Sequence, residues 1–482
     1  MNMHLARPGM KRGPYVRMGG LRRQCPSISA YPQGCILRLP KFLQCEIYVK
    51  MPNPVIVAHY HELWLKGRNR RFFTRKLATA LRQSLQGIPL QNIEQPGHRF
   101  LIRFCEGASA EAAIERIRRV FGVVNFAVAR PVERDLDALC AAAWEEVAPL
   151  KFSSFAVRAK RSDKTFAYAV MEIESKVGRY LLDKLRAEGR TVRVSLDDPE
   201  LTCRIEITPG PALVYARKIP GAGGLPSKTG GRMMCLLSGG YDSAVAAYQM
   251  MKRGAHLSFA HFYGTGAMPG ESSIHVAREL ARRLALYQFT AKLYRVPFEA
   301  IQREIVSVAP EKYRILLYRR MMMRIAEQLA RRSHALALVT GDSLGQVASQ
   351  TLQNMVAVGD AVRMPVFRPL AGTDKQEIVS WARQIGTYDI SSEPFHECCP
   401  AFMPRMPALY SKPKQLEAAE AGLDVGALVH QGVKAAVCER FRYVDGRVED
   451  VAAEEVRATA ASADSVSGVA AACGTRRDNE LD

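Results

Sequence analysis

Apolar residues recur in short runs along the first half of the chain, and polar or charged stretches separate these runs. Five runs have the length and the β-branched or aromatic content of strands: VIVAHY (55–60), FLIRF (100–104), FAVRA (155–159), RVSL (193–196) and CRIEI (203–207). Apolar residues at helical spacing predict helices at 69–86, 109–119 and 170–188. These short elements predict small α+β layers.

The second half of the chain has a different pattern, in which strands alternate with longer helices. We predict strands at 233–237, 257–262 and 335–339, and helices at 242–252, 271–286 and 314–332. This alternation favours βαβ crossovers and a parallel sheet, in which ligands bind at the carboxyl ends of the strands. The glycine-rich run GAGGLPSKTGG (221–231) is typical of a linker and separates the two halves.

Neither end of the chain has the periodicity of a folded element. Residues 1–50 are rich in Arg, Gly and Pro and predict an unstructured extension, with folding that begins near Met51. That extension fits either an Arg-rich transit peptide or a start codon assigned too far upstream. Residues 446–482 are dominated by Ala, Ser, Val and acidic residues, which predicts a disordered tail.

Composition and charge narrow the classes of function. The 482 residues include 68 Lys and Arg against 47 Asp and Glu, and this net charge of +21 favours a polyanionic partner such as nucleic acid. No window approaches the roughly 18 consecutive apolar residues that a membrane-spanning helix needs. Eleven cysteines, scattered singly except for Cys398 and Cys399, do not resemble a secreted disulfide framework. We therefore expect a soluble, cytoplasmic protein with reduced thiols.

The strongest chemical signal is the run MMCLLSGGYDSAVAAYQMMKRG (233–254), an apolar strand followed by a Ser-Gly-Gly turn and a helix. Gly239 and Gly240 allow a tight turn and a close approach to an anion, while the helix N-terminus supplies free N–H groups. The two neighbouring serines add hydroxyl donors. The alternative is a plain turn in which Asp242 or Ser243 only caps the helix.

This turn resembles the SGGxDS pattern of the PP-loop ATP pyrophosphatases, which cleave ATP between the α and β phosphates and leave AMP on the substrate. Three further runs resemble the bacterial tRNA 4-thiouridine synthetases: YRRMMMRIAEQLA (318–330), ALVTGDSLGQVASQT (337–351) and FRPLAGTDKQEIVSWARQIGTYDIS (367–391). The resemblance covers roughly residues 51–443. It implies an α/β fold class: a parallel-sheet PP-loop domain (adenine nucleotide alpha hydrolase-like) at 233–445, preceded by α+β ferredoxin-like (51–107) and THUMP (108–220) domains and a linker (221–232).

The same resemblance implies ATP and Mg²⁺ as cofactors. The residues implied to bind ATP are Leu236, Leu237, Ser238, Gly239, Gly240, Ser243, His261, Phe262, Arg319, Gly341 and Gln350. Asp242 and Lys375 are implied to serve the adenylation, with Asp242 also a magnesium ligand and Lys375 a cation for the pyrophosphate. As alternatives, the two leucines belong to the sheet core and His261 is a packed strand-end histidine.

The implied sulfur chemistry falls on the run EPFHECCPAFMP (393–404). Cys398 follows Lys375 by the distance at which the family places its reactive cysteine, and a persulfide there would attack C4 of the adenylated uracil with AMP leaving. The alternative is that Cys398 and Cys399 are buried and act as small hydrophobic residues. Some members of the family carry an additional rhodanese domain. Only 83 residues follow Cys399, so we expect the form of the protein that lacks this domain. Cys438 is then a candidate for the resolving thiol.

The segment FAVRAKRSDKTFAYAVMEIESKVGRYLL (155–182) resembles the core of a THUMP domain. Five basic residues on it or just before it are implied to bind tRNA phosphates without reading bases: Lys151, Arg158, Lys160, Arg161 and Lys164. The alternative is a solvated charged face. A second basic run, KGRNRRFFTRK (66–76), favours RNA binding.

The function implied by the resemblance is ATP-dependent transfer of sulfur to the uridine at the eighth position of tRNA, through an adenylated uracil, to give 4-thiouridine. A cysteine desulfurase or a small sulfide donor would supply the sulfur, and a sulfur-carrier protein and a second copy of the chain are further expected partners. Sulfur supply for the thiazole of thiamine is an implied second role. The alternatives are an amide- or amidine-forming ATP pyrophosphatase that acts on RNA, and a non-catalytic RNA-binding protein.

Overall fold

The computed structural model describes residues 55–264, 273–393, 402 and 404–451. The elements of the first half are β1 (Val55–His59), α1 (Arg70–Ser84), β2 (Leu90–Glu94), β3 (Arg99–Phe104), α2 (Ala110–Ile117), β4 (Asn125–Val132), α3 (Leu136–Val147), β5 (Ser154–Arg161), α4 (Val170–Ala187), β6 (Arg193–Val194), β7 (Leu201–Ile207), β8 (Ala212–Tyr215) and β9 (Ile219–Pro220). A 3₁₀ segment, Glu62–Asn69, precedes α1.

The second half of the described chain alternates strands and helices, as its pattern predicts. Its elements are β10 (Arg232–Leu236), α5 (Tyr241–Lys252), β11 (His256–Tyr263), α6 (Ser273–Gln288), β12 (Thr290–Pro297), α7 (Glu299–Val308), α8 (Arg314–Arg332), β13 (Leu338–Val339), α9 (Leu352–Gly359), β14 (Val366–Phe367), α10 (Lys375–Ile385), α11 (Tyr388–Ser391), α12 (Pro413–Glu420), α13 (Val425–Ala435), β15 (Val437–Val444) and β16 (Arg447–Asp450). None of these described helices is both long enough and apolar enough to cross a bilayer.

One continuous sheet joins the two layers of the first half. Its strand order is β2-β3-β1-β4-β8-β7-β5-β6, with β9 paired to β4. Strand β4 is shared, because residues 125–129 pair with β1 and residues 130–132 pair with β8. The chain therefore passes from one layer to the next within a single strand, which holds the two layers in a fixed register.

The domain boundary that we expected between residues 107 and 108 is wrong. Helix α2 follows that boundary, yet its Ile114 and Ile117 are buried in the same core as Leu77 and Leu81 of α1. Burial of apolar area is the main driving force for packing, so α2 belongs to the first layer. The division between the layers lies inside β4 instead.

The sheet of the second half has the order β14-β13-β10-β11-β12-β15-β16. The first five strands are parallel and the last two are antiparallel. Helices α5, α6 and α10 pack on one face and α7, α8, α12 and α13 on the other. Strand β10 lies between β11, to which the chain leads next, and β13, which comes later in the chain. Strand order therefore changes direction at β10. In open parallel sheets, ligands bind at such a point, in the crevice at the carboxyl ends of the two strands, here β10 and β13.

The glycine-rich run at 221–231 is packed rather than free. The Gly223 amide donates to the Val123 carbonyl at 2.8 Å, and the Leu225 amide donates to the Lys252 carbonyl at 2.9 Å. A Cβ at Gly224, where φ is +72°, would lie 2.1 Å from the Lys252 carbonyl oxygen. Glycine is therefore required at this position, where the run passes between the first layer and the end of α5.

The end of the described chain is also ordered beyond the expected boundary at 446. Residues Arg447–Asp450 form β16, which pairs with β15, and Asp450 accepts hydrogen bonds from Arg278 and Arg282 of α6. The prediction that the disordered tail begins at 446 is wrong for these residues. Their polar composition predicts disorder, but contacts with α6 and β15 hold them in a strand. The expected extension (1–50) and the rest of the expected tail (452–482) lie outside the described residues.

Candidate functional site

The Ser-Gly-Gly turn lies at the carboxyl end of β10 and leads into α5. The Ser243 hydroxyl accepts from the Ser238 amide at 3.1 Å and donates to the Gly240 carbonyl at 2.9 Å, and the Ser238 hydroxyl accepts from the Gly240 amide at 3.2 Å. The two serine side chains therefore hold the turn in shape. Helix α5 begins at Tyr241, directly after the turn. The first amides of a helix have no partner within it and suit a phosphate group.

Asp242 and Lys375 meet beside this turn. Lys375 is the first residue of α10, and Asp374 caps that helix by accepting from the Gln376 amide at 2.7 Å. The Lys375 ammonium lies 2.9 Å from both carboxylate oxygens of Asp242 and 4.6 Å from the centre of the Tyr241 ring. The structure thus brings together the two residues that the sequence assigns to adenylation.

The donor set beside the turn fits magnesium only as a site completed by the nucleotide. Within the described ranges, no three His, Cys, Asp or Glu side chains converge as metal ligands. Mg²⁺ usually takes one or two carboxylates and completes its octahedron with substrate phosphates and water. Asp242 can be that carboxylate once Lys375 is drawn to the phosphates.

Arg319, Gly341 and Gln350 lie together on the other side of the crevice. Arg319 donates to the Ser349 hydroxyl at 3.0 Å and to Asp342, and Gln350 Nε2 lies 3.4 Å from the same carboxylate. A Cβ at Gly341 would lie 2.7 Å from the Ser243 amide nitrogen. Glycine at this position lets the loop at 340–350 (the 340–350 loop) approach the start of α5 closely.

The side chains of Leu237, His261 and Phe262, which the sequence assigns to ATP, are buried. Leu237, His261 and Phe262 are 1%, 1% and 8% exposed, while Leu236 is half-buried. His261 Nδ1 lies 2.9 Å from the Leu237 carbonyl and Nε2 lies 2.9 Å from the Ser273 hydroxyl. The carbonyl only accepts, so we assign the proton to Nδ1. Both ring nitrogens are therefore engaged within the protein, as the alternative of a packed strand-end histidine describes.

Burial also fixes the charge of His261. It lowers the pKa of the imidazole to about 4, because a charged ring loses its hydration in the core. The ring is neutral at physiological pH.

The expected sulfur site lies mostly outside the described residues. Cys398 and Cys399 fall in the segment 394–401, for which no structure is described. Downstream of that segment, Phe402 is held by a hydrogen bond of 3.0 Å from the Tyr318 hydroxyl to its carbonyl. Within the described ranges the free cysteines are Cys105, Cys140, Cys203, Cys235 and Cys438.

Cys438, the candidate resolving thiol, lies on β15 opposite Tyr294. The residue is exposed at the surface, but neighbouring side chains shield the sulfur, and this desolvation raises the pKa of the thiol. A raised pKa reduces the thiolate fraction at neutral pH. The position therefore lends no support to a resolving role.

Two of the five basic residues assigned to tRNA also serve the fold. Arg161 is half-buried and donates to the Phe166 and Tyr168 carbonyls at 3.3 and 2.9 Å. Arg158 is exposed, donates to the Leu196 carbonyl and lies 3.9 Å from Glu174. The three lysines, Lys151, Lys160 and Lys164, are exposed and present their charges to solvent.

The second basic run lies next to the first. Trp64 is 50% exposed, with the Arg70 guanidinium 4.6 Å from its ring centre and the His98 ring 3.8 Å away. Burial lowers the pKa of His98, and the charges of Arg70, Lys160 and Arg99 lower it further. Arg99, next to His98 in the chain, donates from Nη2 to the Ser162 hydroxyl at 2.6 Å, so the first and second layers meet beside this ring. We use the name basic surface for the candidate tRNA-binding residues in and beside the two runs: Trp64, Lys66, Arg70, Lys151, Lys160 and Lys164.

Comparison with known proteins decides the family. Residues 228–425 match the family described as Thiamine biosynthesis protein (ThiI), residues 55–127 match the ThiI ferredoxin-like domain, and residues 133–217 match the THUMP domain. The chain is 42% identical over 384 residues to a protein of Thermus thermophilus named probable tRNA sulfurtransferase, an alignment that covers 80% of this chain and 93% of the relative. The chain belongs to the tRNA sulfurtransferase family.

Further relatives agree with this assignment. A probable tRNA sulfurtransferase of Geobacillus kaustophilus is 39% identical over 380 residues, which cover 78% of this chain and 93% of the relative. The crystal structure of a 4-thiouridine synthetase in complex with RNA and with bound ATP superposes with a TM-score of 0.72 at 31% identity, covering 81% of this chain and 100% of that one. The family and the fold class expected from the sequence are confirmed.

In this member of the tRNA sulfurtransferase family, several residues that build the crevice are not among those predicted from the sequence. They are Thr340, Asp342, Gln346, Ser349 and Arg368. All but Arg368 belong to the run 337–351 that follows a predicted strand. The position of this run directly after a predicted parallel strand is the sequence feature that indicates a place in the ligand site, since the carboxyl ends of parallel strands lie at one edge of the sheet.

Proposed function

We propose that this chain uses ATP to activate a uridine of tRNA and then replaces O4 of the uracil with sulfur, which gives 4-thiouridine at the eighth position. The observation that carries this proposal is the arrangement around the crevice. The start of α5, Lys375 and Arg319 supply three positive elements at the carboxyl ends of two neighbouring parallel strands. The 4-thiouridine synthetase of known structure binds both RNA and ATP, which supports the same pair of ligands here.

The first half-reaction is the adenylation of the uracil. O4 attacks the α-phosphorus, the bond from that phosphorus to the bridging oxygen of the β-phosphate breaks, and pyrophosphate leaves. Lys375 and Arg319 stabilise the negative charge that develops on the departing pyrophosphate, and the α5 amides hold a phosphate in place. Magnesium held by Asp242 would neutralise further charge on the phosphate oxygens.

The second half-reaction uses a persulfide on Cys398. The terminal sulfur attacks C4, the C4–O4 bond breaks and AMP leaves, so that a disulfide links Cys398 to C4. A second thiol then attacks Cys398 Sγ, forms a new disulfide and leaves the sulfur on C4. A cysteine desulfurase supplies the persulfide in this proposal, directly or through a sulfur-carrier protein, and a reductant restores the thiols.

The basic surface serves as the tRNA platform in this proposal. Exposed lysines bind phosphates without reading bases, and an exposed aromatic ring such as Trp64 offers a face on which an unpaired base stacks. The hydrogen bond of 2.6 Å from Arg99 to the Ser162 hydroxyl joins the two layers beside His98, which supports one binding surface across both. Since tRNA is the substrate, we assign the reaction to the cytoplasm.

A reconstituted reaction tests the proposal. Purified protein is incubated with unmodified tRNA, ATP, Mg²⁺, cysteine and a cysteine desulfurase, and the nucleosides are analysed by mass spectrometry. We expect 4-thiouridine that maps to position eight and that depends on ATP. If the complete mixture consumes ATP and the tRNA gains no sulfur, the proposal is wrong.

Two further measurements test the other expectations. Size-exclusion chromatography tests whether the protein is a homodimer. Growth of a deletion strain without thiamine tests the second role, in sulfur supply for thiamine.

A further inference from the structure

A buried carboxylate organises the cations of the crevice. Asp342 follows β13, and one of its oxygens, Oδ1, accepts from the Arg319 guanidinium and lies 3.4 Å from Gln350 Nε2. The other oxygen, Oδ2, accepts from the Thr340 hydroxyl at 2.8 Å and from Arg368 Nε at 3.3 Å. Burial alone raises the pKa of Asp342, but Arg319, Thr340 and Arg368 together hold it below its ordinary value. Asp342 is therefore a charged centre that bonds Arg319 and Arg368 at once.

The two arginines face the solvent more than the acid does. The side chains of Arg319 and Arg368 are 23% and 20% exposed, against 6% for Asp342. The carboxylate thus lies beneath the guanidinium groups, and two cations against one anion leave a net positive charge at the mouth of the crevice. Such an arrangement suits an anionic ligand that approaches from solvent.

Arg368 is placed there by the sheet. It follows β14, which pairs in parallel with β13, and the Thr340 amide donates to the Phe367 carbonyl at 3.1 Å. The remaining bond of Arg368, from Nη2 to the Met355 carbonyl, is long at 3.4 Å. A guanidinium carries five N–H donors, so these two bonds leave donors available.

The cluster is also tied to the phosphate-binding turn. Gln346 Nε2 donates to Asp242 at 3.1 Å, and Gly341 packs on the Ser243 amide. The 340–350 loop therefore connects Asp342 with the start of α5. The two arginines that Asp342 bonds thus lie beside the same anion site that Lys375 serves.

We propose that Arg368 is a second phosphate-binding arginine of the ATP site, and that Asp342 is the positioning residue that aims Arg319 and Arg368 at the phosphates. This inference rests on the proposed use of ATP. The planar fork of arginine matches phosphate oxygens in pairs. Fixing two forks on one buried carboxylate orients them before the nucleotide binds, so less side-chain entropy is lost on binding.

The first test measures binding of ATP and of adenosine by calorimetry. Arg368→Gln should weaken ATP binding roughly tenfold to a hundredfold and leave adenosine binding unchanged, because a charge-assisted hydrogen bond to phosphate is removed. Arg363→Gln, an exposed arginine on the same segment, is the matched control and should bind both ligands as wild type. Arg368→Lys should fall between the two. Unchanged ATP binding by Arg368→Gln would overturn the assignment.

The second test addresses Asp342. Asp342→Asn keeps the shape of the side chain and removes its charge, so ATP binding should weaken while adenosine binding stays the same. Combining it with Arg368→Gln should cost less than the sum of the single changes, since both act through one contact. Additive losses of ATP affinity, or failure to bind adenosine, would mean that Asp342 only supports the fold. If wild-type protein does not bind ATP, the proposed function is wrong. If wild-type protein binds ATP and the variants bind it equally well, only the inference about Arg368 and Asp342 is wrong.

Discussion

The Lys375 ammonium lies 2.9 Å from both carboxylate oxygens of Asp242, across 133 positions of sequence. The pair neutralises two charges next to the start of α5, where an unpaired carboxylate would repel the phosphates of ATP. In the proposed reaction, bound nucleotide would give Lys375 a more strongly charged partner and would leave Asp242 to hold a magnesium ion. In that proposal the ion pair would open before adenylation.

Removing either partner should stop the first half-reaction. We expect Lys375→Met and Asp242→Asn to lower tRNA-dependent pyrophosphate release roughly a hundredfold or more, because each removes either the charge that stabilises the pyrophosphate or the metal ligand. Affinity for tRNA should change by no more than a few fold. Lys414→Met, an exposed lysine at the start of α12, is the matched control. Normal pyrophosphate release by both variants would exclude these residues from the mechanism.

Charge removal on the basic surface should act on tRNA binding alone. For Lys151→Gln, Lys160→Gln and Lys164→Gln combined, we expect the dependence of log affinity on log salt to flatten by about one unit for each phosphate that the variant no longer binds. ATP binding should be unchanged. The control variant removes three exposed lysines elsewhere, Lys412, Lys414 and Lys434, and so changes net charge equally. Equal effects of both triple variants on the salt slope would show that only net charge matters.

Cys398→Ser should separate the two half-reactions. A serine hydroxyl cannot carry a persulfide, so adenylated tRNA should form and pyrophosphate should be released, without any thiouridine. Cys399→Ser and Cys438→Ser should keep at least single-turnover activity. Mass spectrometry of the tRNA nucleosides is the readout. Thiouridine formed by Cys398→Ser at the normal rate would indicate direct attack by free sulfide.

The buried His261 should make stability fall in mild acid. Its pKa is lowered from 6.5 to about 4 in the folded protein, so the unfolded state binds more protons between these values. The contribution of neutral His261 to the free energy of unfolding is complete above pH 6.5 and is lost as the pH falls towards 4. The loss is about 3 kcal/mol for a shift of this size.

Urea unfolding between pH 7 and pH 4 measures this effect. His261→Gln, which retains a donor and an acceptor, should unfold at a lower urea concentration at pH 7 and lose less stability on acidification than wild type. His430→Gln, at an exposed position, is the matched control. The same loss of stability between pH 7 and pH 4 in His261→Gln and wild type would exclude His261 as a source of the acid sensitivity.

Local features of the sequence determined much of the PP-loop half. A strand directly precedes the Ser-Gly-Gly turn and a helix directly follows it. The local sequence therefore predicts the shape of this segment without reference to the rest of the chain. Helix α8 runs from Arg314 to Arg332, the range that its apolar spacing predicts. The basic runs are likewise visible in the sequence, because charge is a property of each residue.

Only the tertiary structure decided how distant segments meet. The sharing of β4 between two layers and the hydrogen bond from Arg99 to Ser162 beside His98 depend on contacts between residues far apart in sequence. The pairing of β16 with β15 likewise depends on backbone contacts that a polar composition does not predict. The central place of Asp342 has the same origin, since its arginine partners come from α8 and from the end of β14. Hydrophobic periodicity reports which face of an element is buried, but not which element covers it, and that choice is made by packing across the whole chain.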